Sequence, residues 1–113
     1  MAIFYKNQGY NLTTTNLTTV LNINTSSVAI IKEISVVNDD NNAHEASFYF
    51  YDVSASTSYK FFHTNVPADS HDNAVHNALV LEEGDYLQFQ TVVADVISGQ
   101  ISYALLTRSG ENG

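Results

Sequence analysis

Apolar residues in this chain come in short runs, about 10 to 14 residues apart, with Asn, Asp, Ser and Gly between them. No longer window carries an apolar stripe at helical spacing, so no helix beyond a turn or two is expected. The runs predict strands over Leu17–Ile23, Val28–Val37, Glu45–Val53, Ser58–Thr64, Ala74–Leu81, Tyr86–Val93 and Gln100–Thr107. The segments Asn38 to Asn42, Ser54 to Thr57, Asn65 to Asp72, Glu82 to Asp85 and Ala94 to Gly99 have the chemistry of turns and loops.

Alternation within these strands sets an inner face. Leu87, Phe89 and Val93 are apolar while Gln88 and Gln90 point away, and Ile101, Tyr103 and Leu105 alternate with Gln100 and Ser102 in the same way. Val75, Leu79 and Leu81 repeat the pattern, as do Ile34 and Val36. A period of two with one polar face marks antiparallel sheets packed on one side. The expected fold is all-β: an antiparallel two-sheet sandwich, jelly-roll-like, of about seven or eight strands.

Glu45–Val53 breaks the alternation, with Phe48 and Phe50 on one face and Tyr49 and Tyr51 on the other. Tyr59, Phe61 and Phe62 follow on the next strand. Cross-strand aromatic pairs make core the default for the inward set. The outward set, Tyr49, Tyr51 and either Tyr59 or Phe61, forms an amphipathic patch suited to protein contact, with buried core and a sugar-stacking platform as the alternatives.

The ends differ from the middle. Residues 1–16 read as an N-terminal arm, residues 17–108 as the sandwich and residues 109–113 as a solvated tail. Ile3, Phe4 and Tyr5 make an apolar tip on a polar stalk running from Asn7 to Asn16, better placed in a neighbour's groove than in solvent. An extra edge strand on the arm's own sandwich is the competing reading. The candidate interface residues are therefore Ile3, Phe4, Tyr5, Tyr49, Tyr51 and Tyr59.

Composition narrows the function classes. The 113 residues contain no cysteine, which excludes a disulfide scaffold, a thiolate zinc site and a cysteine nucleophile. Four basic residues against 12 acidic ones give a net charge of −8, and Lys6, Lys32, Lys60 and Arg108 are scattered. A nucleic-acid groove needs clustered cations, so that partner is not expected. No apolar run approaches a membrane span, and Met1 to Tyr10 has no apolar core of a secretory signal. Only 14% of residues are charged, against about 25% in ordinary domains, whereas Asn, Ser and Thr number 33. Such a surface of hydroxyls and amides favours strands over helices.

No set of residues has the spacing of a catalytic or metal centre. His71 and His76, with Asp69 and Asp72, lie in a loop rather than on a rigid frame, and His44 and His63 stand apart. Asn38 to Asn42 lacks the spacing of a calcium loop. Serine, histidine and carboxylates are present without a nucleophile elbow, and Glu82, Glu83 and Asp85 share one turn. Sequons at Asn11, Asn16 and Asn24 are expected by chance in so Asn- and Thr-rich a chain. Neither a cofactor nor a catalytic activity is expected.

Three stretches carry a family resemblance. They are Ile30-Ile31-Lys32-Glu33-Ile34-Ser35-Val36-Val37-Asn38, Val66-Pro67-Ala68-Asp69-Ser70, and Leu79-Val80-Leu81-Glu82-Glu83-Gly84-Asp85-Tyr86-Leu87. From Val28 to Thr107 the chain resembles small β-sandwich virion proteins of tailed bacteriophages. The last motif is also similar to a turn of jelly rolls of the tumour-necrosis-factor/C1q type. The resemblance implies a structural role, either as a capsid decoration (cement) protein or as a tail component. The expected partners are further copies of itself, as a trimer, and the major capsid protein. The expected location is the outer capsid surface, since an acidic protein is repelled by packaged DNA. The alternative is a tail or fibre module recognising a host glycan or surface protein.

Overall fold

The computed structural model describes residues 2–107. Among the described residues nine strands form two antiparallel sheets: β1 Ala2–Asn11, β2 Thr18–Asn22, β3 Ser27–Asn38, β4 His44–Asp52, β5 Thr57–Val66, β6 His71–Asn73, β7 Leu79–Leu81, β8 Tyr86–Thr91 and β9 Ile97–Thr107. The first sheet runs β1-β9-β3-β6, with β7 also paired to β3, and the second runs β2-β8-β4-β5. With β6 and β7 taken as one interrupted strand, successive strands alternate between the sheets except at the β4–β5 hairpin, which is jelly-roll order. The all-β sandwich expected from the alternation is the fold observed.

The inward residues named by alternation supply most of the core. Ile34, Val36, Leu81, Leu87, Phe89 and Ile101 are fully buried between the sheets, with Phe48 beside Phe89. Phe48 and Phe89 meet edge to face, 4.6 Å between ring centres. Val93 departs from the pattern and is exposed. The β8 ladder stops at Thr91, whose hydroxyl bonds the backbone of Val93 and turns the chain out of the sheet.

The expected strand over Ala74–Leu81 is in fact two short ones. Ser35 pairs with Asn73 and Ile31 with Leu79, so three intervening residues of β3 span the same gap as five on the other side. The surplus loops out opposite a bulge between Ile31 and Glu33. The Asn73 side chain fills the break, accepting from the backbone N–H groups of Ile34 and Val75.

The arm is not detached. Residues 2–11 pair continuously with β9, from Ala2 opposite Thr107 to Asn11 opposite Ser98. Tyr10 and Leu12, placed in the polar stalk by sequence, are buried core residues. Backbone ladder bonds hold this strand without needing an apolar face, which is why hydrophobic pattern alone did not mark it. Arg108 and the tail at 109–113 lie outside the described residues.

Candidate interaction surfaces

The outer face of the second sheet is built from the alternate residues of β4, β5 and β8. Tyr51 pairs with Tyr86, and the two rings stack at 4.7 Å with only 9° between their planes. Tyr49 lies one step along, opposite Lys60 on one side and Gln88 on the other. The Lys60 ammonium sits 5.5 Å from the Tyr49 ring centre. Ser58 donates to the Gln88 side chain. Tyr49, Tyr51 and Tyr86 are half-buried, and the last two rings cover each other's faces.

Tyr59 does not join this face. A bulge between Phe48 and Tyr49 leaves Phe61 without its own partner on β4, so that Phe50 pairs with Tyr59. Tyr59 therefore stacks on Phe50 at the sandwich's open edge, and Phe61 packs against Phe48 and Phe50. Of the two residues considered for the outward set, both lie on the inner side. Tyr86, which sequence reasoning did not single out, takes the place given to them. Its signal was present: it shares a face with Gln88 and Gln90 in the alternation of β8.

Ile3, Phe4 and Tyr5 lie on the first sheet, away from the tyrosine face. Phe4, Lys6 and Gln8 share the inward side with Leu105, Tyr103 and Ile101, yet all three are exposed. The first sheet thus overhangs the second along β1. Beneath the overhang is a shallow pocket of about 260 Å³ lined by Phe4, Lys6, Asn24, Ser27, Leu105 and Thr107. The buried Ser27 hydroxyl has no hydrogen-bond partner among the described residues.

Two polar arrangements have the residue types of chemistry. Ser47 stands directly opposite His63, with its hydroxyl 2.9 Å from Nδ1, and Glu45 Oε1 is 3.0 Å from Nε2. This is the bonding order of a nucleophile, base and orienting carboxylate. It sits on an open sheet with His63 and Glu45 both about half exposed, and the pocket beside Phe4 and Leu105 is not lined by these residues. Elsewhere carboxylate oxygens of Asp52, Glu82 and Asp85 fall within 4.8 Å of one another. Two of these groups are committed to backbone donors: buried Asp85 accepts from Val53 and Glu82 N–H, and Asp52 from Ser54 and Ala55 N–H. The cluster closes two turns, with Gly84 supplying a φ of 85°.

The remaining histidine of interest is structural. His44 Nε2 lies 2.6 Å from the Asp40 carboxylate, and that bond holds the Asp40 carboxyl below its ordinary range. Asn38, buried at the head of the same loop, donates to the carbonyls of Asn42, Val66 and Pro67 and accepts from Asp40 N–H. The Asn-rich loop is thereby tied to the β5–β6 connection.

No family model matches the chain, and no curated protein matches it in sequence. Solved structures match it in shape. A chain of the acidic stable capsid of Helicobacter pylori bacteriophage KHP30 is similar over 93% of this chain and 87% of its own, with a TM-score of 0.58 and 9% identity. A chain of the Bacillus endospore appendages, a family of disulfide-linked pili, is similar over 91% and 85%, with a TM-score of 0.52 and 10% identity. At such identities the likeness is one of fold: this chain is a β-sandwich of a shape also found in a phage capsid and in a spore pilus.

Proposed function

We propose that this chain is a non-enzymatic structural protein of a bacteriophage virion, binding the outer capsid surface as an oligomer and reinforcing the shell. The observation that carries the reading is the outer face of the second sheet, a flat array of Tyr49, Tyr51, Tyr86, Lys60 and Gln88. Stacked tyrosines give large contact area at low entropic cost, and the amides around them satisfy a polar partner. Similarity of fold to a phage capsid chain supports the setting, and the net charge of −8 supports a place outside packaged DNA. The mechanism is stapling: one oligomer touches several capsid subunits, and weak contacts combine through effective concentration.

Copy number in purified particles, by quantitative mass spectrometry, tests the reading. Hundreds of copies, with Tyr51→Ala protein failing to rebind stripped particles, are expected. A handful of copies, with binding on a glycan array, would instead assign it to a tail module whose tyrosines stack on sugar rings.

A further inference from the structure

We infer that the outer edge of β1 is a homodimer interface, at which two copies of this chain join their first sheets antiparallel about a two-fold axis. Every open sheet has two edges, and unpaired edges invite other strands unless they are short, bulged or charged. Three of the four edges here are blunted. β2 has five residues and a register shift between Thr19 and Leu21. β6 and β7 have three residues each. β5 is bulged at Phe61 and carries Lys60 and His63. β1 is neither short nor bulged, and Lys6 is its one charge: it has ten residues, an unbroken register against β9, no proline and no acid.

Charge selects a second copy as the occupant. Each chain carries −8, so most faces would bring carboxylates together. The first acidic residue is Glu33, which leaves β1 and β2 free of negative charge. The strand is also apolar where it overhangs: Ile3 is 56% exposed, Phe4 48% and Tyr5 85%. An isologous contact uses one patch twice and closes at two copies.

Symmetry then fixes the register. In a two-fold antiparallel pair, facing residues must share a side of the sheet, so the axis passes through one residue. Centring on Lys6 would set like charges opposite each other, which is unfavourable. Centring on Asn7 places Lys6 opposite the partner's Gln8 and Tyr5 opposite the partner's Gly9, an aromatic ring covering a bare glycine. The contact is two-fold, unlike the trimer implied by the phage resemblance, and it stands independently of capsid binding.

Cross-linking in a chain without cysteine tests it cleanly. Asn7→Cys protein, mildly oxidised, should run as a covalent dimer, whereas Ile3→Cys protein should not. Sedimentation equilibrium should give a dimer for the native chain. Tyr5→Asp, at an exposed position, should raise the dissociation constant at least about tenfold while leaving the unfolding transition in place. A monomer at tens of micromolar, a trimer, an open polymer, or failure of the Asn7→Cys cross-link would each overturn the inference.

Discussion

Tyr10 and Gly99 face each other across the β1–β9 ladder, and the Tyr10 hydroxyl passes over the glycine to donate to the Ser35 carbonyl at 2.7 Å. One side chain thus crosses β9 and fastens β1 to β3. A Cβ at position 99 would lie 1.9 Å from the Ser35 carbonyl oxygen and 3.0 Å from the Tyr10 hydroxyl. Because the nearest atom is backbone, the sheet itself must yield. Gly99→Ala should cost about 2–3 kcal/mol in urea unfolding. Tyr10→Phe, which loses one hydrogen bond, should cost about 1 kcal/mol. Equal costs would show that crowding at position 99 is not the controlling contact.

Asn38→Ala removes a buried amide that serves four backbone groups in two loops. Carbonyls left without donors carry a desolvation penalty, so a loss of about 2–3 kcal/mol is expected. Amide hydrogen exchange should quicken at Asp40, whose N–H loses its acceptor. An unchanged rate there would show that Asn38 does not hold the loop.

The His44–Asp40 contact predicts a pH dependence. The histidine hydrogen bond lowers the Asp40 pKa below its ordinary 3.8, so the folded chain binds that proton less readily than the unfolded chain. The contribution to stability is complete above the ordinary carboxylate value and fades as pH falls through the lower folded one. NMR titration of the carboxyl should place Asp40 below 3.8 in the native protein and move it upward in His44→Ala. Identical midpoints in the two proteins would assign the shift to another group.

Phe48 and Tyr51 are three positions apart on β4 and on opposite faces. Phe48 is fully buried against Phe61, Phe62 and Phe89, so Phe48→Ala should cost about 3–5 kcal/mol. Tyr51→Ala loses one stacked partner at a half-open face and should cost about 1 kcal/mol. Thermal unfolding checks both, and a large loss at Tyr51 would move that residue from the contact face into the core.

What was legible in the chain depended on whether hydrophobic burial or hydrogen bonding did the positioning. β3 and β8 announced themselves because each buries one alternating face between the sheets, as Ile34 and Leu87 do. β1 did not, because it overhangs and buries almost nothing before Tyr10. Gly99 read as a turn residue, although here glycine is required by close approach inside β9. Tyr59 was misplaced because the bulge at Phe61 offsets the alternation on its two sides, so that Tyr59 and Phe62 face the same way, and bulges leave no period in the sequence. The Ser47–His63 pair also depends on this cross-strand register, which a linear reading does not supply.

The position of β9 has a kinetic consequence. Among the described strands it is the last to leave the ribosome, yet it lies between β1 and β3 in the first sheet. Until Ile97–Thr107 has emerged, β1 has no ladder partner, and β3 can pair only with the short segments β6 and β7. Closure of the sandwich therefore waits for β9, and it must join residues as far apart in sequence as Ala2 and Thr107. Such non-local pairing is intrinsically slow, so the aromatic strands β4 and β5 stand incompletely covered until β9 arrives.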